Sequence, residues 1–291
     1  MGPKEIFLHI GFPKTGTSAI QRFFSINKGV LKNNGVLYPD AGLTEYAGHV
    51  GIAKAARMKA VKPFDILRSE IESSPCNKVV ISSEYFFMLE PKKIEFLCEQ
   101  LSDYKVVIIV YLRRQDNRIE SGYLQVLRDI EFRFTGSVDD YIVFLKKHPR
   151  RTNYFMFLES WSSVFSMGAM RVRIYEENKG GKRLIPSFLE TIECSDFSEL
   201  VYSRKKENVT YKPILNWCLK KINVLPLPKA IYKVILLWFN FLTRSLLGEG
   251  TIADHHLLSD SQRNDIIKEY SESNSQVAKK YLSRPSGQMF K

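Results

Sequence analysis

The sequence predicts an α/β fold built on a parallel sheet, and three observations predict it. The stretch Glu5-Ile6-Phe7-Leu8-His9-Ile10 is mostly apolar and runs directly into a glycine-rich turn and then a helical pattern. Two further runs, Lys78-Val-Val-Ile-Ser-Ser83 and Lys105-Val-Val-Ile-Ile-Val-Tyr-Leu112, are rich in β-branched residues and apolar at successive positions. Such runs suit strands covered on both faces. Amphipathic helical patterns lie between them, as the crossovers of parallel strands require.

The first strand is followed by Gly11-Phe-Pro-Lys14-Thr15-Gly16-Thr17-Ser18, and a helix opens with Ile20, Phe23 and Phe24 on its apolar side. Strand, glycine loop and helix start together form a phosphate-binding layout, because loop N–H groups and the positive end of the helix dipole meet the anion. Compared with the nucleotide loop Gly-x-x-x-x-Gly-Lys-Ser/Thr, Gly11, Gly16 and Ser18 fall in place. Position 17 is Thr rather than Lys, and the lysine stands at position 14. The moved charge implies a different anion or a different bond broken. The helix is expected to reach about Leu31 and to stop at Asn33-Asn34-Gly35.

Val36 to Pro39 reads as a short extended piece. A loop carrying His49 follows, then helices over Ile52–Ala60 and Ile66–Ile71. Glu84 ends the Lys78–Ser83 strand. A helix over Lys93–Leu101 precedes the strong Lys105–Leu112 strand, and Arg113-Arg114 follow it at once. Helices are expected over Ile119–Leu127, Val138–Lys147, Tyr154–Phe165 and Ile185–Ile192, with a strand over Met170–Tyr175. Ile214–Ile222 and Lys229–Leu247 are helical patterns. Ser259-x-x-Gln262 is a capping box opening a last helix, with Ile266, Ile267, Tyr270, Val277 and Tyr281 on one side.

In parallel sheets ligands bind beyond the carboxyl ends of strands. The Gly11 loop, Glu84 and Arg113 each follow a strand, so all three are expected at one crevice. Arg113 and Ser121 stand eight apart, and a guanidinium with a hydroxyl suits a phosphate dianion.

The chain has 291 residues, 44% of them apolar, and no long polar or repetitive tract, which suits a single domain over 1–291 with helical additions. A net charge of +12 and a pI near 9.4 imply an anionic partner. No zinc-finger or ribonucleoprotein motif is present, which argues against nucleic acid. Cys76, Cys98, Cys194 and Cys218 are scattered, so neither a disulfide framework nor a zinc site is expected. His255-His256 beside Asp254 lacks a third ligand at helical spacing, so no metal is expected. No secretory signal is read before Glu5. A cytoplasmic location is expected, with the inner face of the membrane as an open alternative. The most apolar run, Ile231–Leu242, reads first as a core helix and second as a peripheral contact with a membrane surface, and for Lys229–Leu247 as a whole burial, pairing with another subunit and membrane contact all stay open.

Gly11–Ser18 resembles the 5′-phosphosulfate loop of sulfotransferases, Pro-Lys-[Ser/Thr]-Gly-Thr-[Thr/Ser]. Tyr111-Leu-Arg-Arg-Gln-Asp-Asn-Arg-Ile-Glu-Ser121 resembles their 3′-phosphate motif. More narrowly, Tyr111–Asp116, Ser82-Ser83-Glu84, and Ser273-Asn274 with Tyr281, Arg284, Gly287 and Phe290 are similar to segments of bacterial polysaccharide-modifying sulfotransferases.

The resemblance implies a P-loop-like three-layer fold. It implies transfer of a sulfuryl group from 3′-phosphoadenosine 5′-phosphosulfate (PAPS) to a saccharide hydroxyl, leaving the 3′,5′-bisphosphate (PAP), without a metal. Thr15, Gly16, Thr17 and Ser18 would hold the 5′-phosphate, and Arg113 and Ser121 the 3′-phosphate. Lys14 would meet charge on the bridging oxygen. Arg204 and Asn208 lie where related enzymes close over the nucleotide. The acceptor needs a general base, for which Glu84 is the first candidate and His49 the second. Two rivals stay open. One is a nucleoside or sugar kinase with a deviant loop, and the other is a non-catalytic binder of anionic glycan or nucleotide.

Overall fold

The computed structural model describes residues 3–178, 183–194, 199–202, 210–250, 253–255 and 257–290. Five strands, β1 (Glu5–Ile10), β2 (Val36–Leu37), β3 (Lys78–Ser83), β4 (Lys105–Leu112) and β5 (Met170–Ile174), form one sheet in the order β2-β3-β1-β4-β5. Every pairing is parallel, with Ile6 beside Val79 on one side and Val106 on the other. The fold is therefore the expected P-loop-like α/β class, with helices on both faces of a parallel sheet. In chain order the helices are α1 (Thr17–Ile26), α2 (Lys28–Asn33), α3 (Val50–Met58), α4 (Lys62–Ser73), α5 (Pro91–Gln100), α6 (Gln115–Val126) and α7 (Val138–Lys146). They continue with α8 (Tyr154–Phe165), α9 (Leu184–Thr191), α10 (Pro213–Asn223), α11 (Lys229–Leu242), α12 (Asp260–Glu269) and α13 (Ser271–Tyr281).

The chain divides into two compact units, each made of separate stretches. The first holds 1–113, 154–205 and 273–291; the second holds 114–153 and 206–272. The whole sheet lies in the first unit. Alternation along β1 splits that unit's core. Ile6, Leu8 and Ile10 pack with side chains of α3, α4, α5 and α8, including the fully buried Trp161. Phe7 points the other way, toward Ile20, Phe23 and Phe24 of α1 and Phe188 of α9. Each fully buried Ile, Leu or Phe contributes about 1.5–3 kcal/mol, so this two-sided burial decides the register. A slip of one residue would exchange the two faces. Lys4 locks the strand's entry, its ammonium donating to the carbonyls of Ile71, Ser74 and Cys76 at 2.7, 2.6 and 3.2 Å.

The second unit is helical. Its α6 and α7 pack with α12 through Ile119, Tyr123, Leu127, Tyr141 and Ile266. The α10 and α11 helices share a smaller core of Tyr211, Leu215, Leu219, Tyr232 and Phe239. Arg263 of α12 donates to Asp116 at 3.1 Å and Glu120 at 2.6 Å, both on α6. Burial pushes the Asp116 carboxyl up, but donors from Arg114, the Asn117 N–H and Arg263 outweigh it and hold the pKa below the ordinary value.

Several expected elements differ in detail. The first helix breaks at Asn27, whose amide donates to Phe23 O and Val201 O and accepts from Val201 N. The last helix breaks at Tyr270, leaving α12 and α13. The Ser259–Gln262 capping box opens α12, with both reciprocal bonds made. Lys229–Leu247 is helical, as α11 followed by a π-helical turn at Thr243–Leu247. Its apolar run over 231–242 is not the buried core helix expected. Only Tyr232, Phe239 and Thr243 are fully covered, while Val234, Leu237, Trp238 and Phe241 are exposed.

Candidate functional site

The loop after β1 turns toward the α1 face, whereas β3 and β4 are followed by chain that returns on the other face. The loops therefore part above β1, which is where ligands bind in parallel sheets. Gly11 N still pairs with Ser83 O at 3.1 Å, so the cradle begins at the end of the ladder. Lys14 (φ 68°) and Gly16 (φ 82°) are both left-handed. Gly16 meets that demand without a Cβ, but Lys14 does so at a cost. Thr15 is fully buried, and its hydroxyl donates to Phe12 O at 2.5 Å, tying the loop to itself.

Gly16 is the residue before α1, and it offers no side chain to satisfy the first-turn N–H groups. Ala19 N and Ile20 N bond Gly16 O at 3.0 and 3.2 Å, and the Thr17 and Ser18 N–H groups are left for something else. Thr17 is 4% exposed, and its hydroxyl has no hydrogen-bond partner. A Cβ at Gly11 would lie 2.6 and 2.7 Å from the Thr17 side chain and 3.2 Å from the Glu84 Cα. A Cβ at Gly16 would lie 2.4 Å from Leu184 and 3.2 Å from Tyr175. Both glycines are needed for the chain to pass so closely. A phosphate with its several acceptor oxygens fits this set of donors.

Glu84 follows β3 and starts a short 3-10 turn, Glu84–Met88, capped by the Ser83 hydroxyl accepting from Tyr85 N at 3.2 Å. It is half-buried. Burial pushes its carboxyl above the ordinary carboxylate range, and the nearby Lys14 ammonium pulls it partly back. Lys14 and Glu84 are thus brought into one electrostatic field.

Arg113 joins them from the end of β4. Its guanidinium donates to Lys14 O at 3.1 Å, lies 3.8 Å from Glu176 and covers the Tyr175 ring at 5.4 Å. The Tyr154 hydroxyl donates to the Arg113 carbonyl at 2.5 Å. Sequence reasoning missed Tyr175, Glu176 and Tyr154. Tyr175 follows β5, so the strand-end rule that found Glu84 and Arg113 could also have found it. Tyr154 carries no such signal.

Ser18 lies half-buried in the first turn of α1. Ser121 lies mid-way along α6 in the second unit, and its pairing with Arg113 rests on sequence spacing. Arg204 and Asn208 lie outside the described residues, as does His256. His255 Nε2 faces Tyr211 O at 3.0 Å. Among the described residues, no three metal-binding side chains converge.

His49 requires a correction. It is not an open loop histidine but is fully buried. Its Nδ1 accepts from Ser82 N at 3.1 Å, so Nε2 carries the proton and donates to Pro39 O at 2.9 Å. No nitrogen is left to receive an acceptor's proton. Burial pushes its pKa down to about 4, and that of His9 to about 3. Both rings stay neutral in the fold but charge when unfolded, near pH ~6.5. Their stabilising effect is therefore complete above that value and is lost as pH falls toward 4 and then 3. His49→Ala is expected to cost about 2–4 kcal/mol, since it orphans Ser82 N and empties a packed site. Urea unfolding at neutral pH measures this, and a cost under about 0.5 kcal/mol would contradict the structural role.

No family model matches the chain. An uncharacterised protein of Archaeoglobus fulgidus is 25% identical over 207 residues, covering 70% of this chain. The chain spans about half of that curated relative's length, 54% of it being aligned. Among solved structures, a sulfotransferase from Alicyclobacillus acidocaldarius aligns over 88% of this chain and 100% of its own, with a TM-score of 0.46 and 16% identity.

Proposed function

We propose that this protein is a sulfotransferase that moves a sulfuryl group from PAPS to a hydroxyl of a saccharide. The observation that carries the reading is the set of groups gathered around the loop after β1. An uncapped helix start with an unpartnered buried Thr17 hydroxyl stands beside Lys14, Glu84 and Arg113.

The residues have separable tasks in this reading. Backbone N–H groups of Gly16, Thr17 and Ser18, with the Thr17 hydroxyl, hold the 5′-phosphate. Arg113, steadied by Lys14 O and Tyr175, holds the 3′-phosphate that distinguishes this donor from ATP. Lys14 sits in the loop rather than at the helix start. There its ammonium meets the charge that grows on the bridging oxygen as the sulfur–oxygen bond breaks. Glu84 accepts the proton of the attacking hydroxyl, and its raised pKa brings it nearer to an effective base at neutral pH. The choice of a saccharide rests on the resemblance of Tyr111–Asp116 and Ser82–Glu84 to the polysaccharide-modifying enzymes.

The test is a thermal-shift titration with adenosine 3′,5′-bisphosphate and, separately, with ATP and Mg²⁺. At ~100 times its dissociation constant a ligand adds about 2.7 kcal/mol of stability. The bisphosphate is expected to raise the melting temperature of the wild type, and Arg113→Ala is expected to abolish the rise. A shift with ATP and Mg²⁺ alone would replace this reading with a kinase.

A further inference from the structure

The α11 helix is apolar around most of its circumference but covered on one stripe only. Tyr232, Ile235, Leu236 and Phe239 face the second unit's small core. The Tyr232 hydroxyl fixes that stripe, donating to Leu127 O at 3.1 Å and pairing with Asn223 Oδ1 at 2.6 Å. On the rest of the helix Val234, Leu237, Trp238 and Phe241 are each about 60% exposed, at 63, 60, 60 and 57%. Their spacing of i, i+3, i+4 and i+7 places them on one side. The neighbouring α10 adds Trp217, also 60% exposed, with Lys221 over its ring at 5.7 Å. A helix apolar all round normally finds cover on every face, and a large exposed apolar patch marks an interaction surface.

The charge of this stretch says what the cover is. From 211 to 247 there are six basic residues, Lys212, Lys220, Lys221, Lys229, Lys233 and Arg244, and no acidic one. Among the described residues, Lys229 is the one of these six with an ion-pair partner, Glu131 at 2.5 Å. A second copy of the chain docked face to face would set these positive charges against their like. An anionic lipid surface complements them, and tryptophan beside lysine is the composition of interfacial helices.

We infer that α11, with the Trp217 side of α10, lies in the plane of an anionic membrane surface, with Trp238 and Phe241 inserted at the headgroup level. The stretch Lys229–Leu247 is long and apolar enough to cross a bilayer by length and composition alone. Standing it upright would strip Tyr232, Phe239 and Thr243 from their core and draw Lys233 into hydrocarbon. Lying flat keeps the covered stripe intact.

The test is co-sedimentation of the full chain with vesicles of phosphatidylcholine alone or of equimolar phosphatidylcholine and phosphatidylglycerol. Trp238→Ser with Phe241→Ser, and Lys220→Ser with Lys221→Ser, are run beside the wild type. Trp238, Phe241 and Lys221 are exposed and Lys220 is half-buried, and melting followed by circular dichroism checks that each variant folds. The wild type is expected to bind the anionic vesicles and not the neutral ones. Binding should fall about tenfold or more in either double variant and be lost in about 1 M salt. Three results would overturn the inference. They are equal binding to both vesicles, association that survives both salt and the aromatic replacements, and absence of lipid binding in a dimer that Phe241→Ser dissociates.

Discussion

Glu84→Gln is expected to lower sulfuryl transfer by about 10²–10⁴-fold while leaving bisphosphate binding unchanged. Glutamine keeps the volume and polarity of the side chain at the end of β3 but cannot take a proton. In the wild type the rate should rise with pH through the Glu84 pKa, which burial sets above the ordinary carboxylate range and Lys14 partly restores. That limb should vanish in the variant. Stability should move the other way. A carboxyl whose pKa is raised by folding lends stability that is complete below its unfolded pKa and is lost as pH rises through the folded one. At neutral pH the variant is therefore expected to be no less stable than the wild type. Turnover of a saccharide acceptor, with a melting curve and a bisphosphate titration, checks all three. Turnover within about threefold of wild type would remove Glu84 from the base role.

Lys14→Met should cost about 10²–10³-fold in turnover, the scale seen when one preorganised charge-stabilising donor is lost. Lys14 is left-handed at φ 68°, so a lost activity could also come from a disturbed loop. Lys14→Gly separates the two causes. Methionine keeps the backbone strain and removes the charge, whereas glycine relieves the strain and also removes the charge. If the ammonium is what matters, both variants lose turnover alike and both keep the bisphosphate-induced thermal shift. Activity retained in Lys14→Gly would assign the residue to loop geometry instead.

The sheet was readable because its strands are short apolar runs between polar stops. Lys78–Ser83 and Lys105–Leu112 are bounded in the structure as the sequence pattern bounds them. The loop was readable because glycine and lysine spacing encodes a local conformation. Long-range bonds were not readable. Asn27 breaks the first helix by bonding with Val201, far away in sequence. His49 looked like an open loop residue because nothing nearby announces that β3 will lie against it. The exposure of α11 was hidden for a similar reason. Its composition is that of a buried helix, and only the packing of Tyr232 and Phe239 shows how little of it the unit covers.

The central place of β1 has a consequence for how the molecule is made. Its neighbours are β3 and β4, with Glu5 paired to Lys78 and to Lys105. Made before both partners, β1 must therefore wait with both edges unpaired until the ribosome has released the chain past Ser83, and with one edge still open until it has released the chain past Leu112. Contacts so distant in sequence fold slowly, because loop closure is met before pairing rewards it. An apolar strand held open in the meantime is a point of aggregation. Gly11 can reach Ser83 only after that pairing, so the phosphate cradle is a late product of folding. Capture of the bisphosphate by a nascent or refolding chain would accordingly report that the sheet has closed.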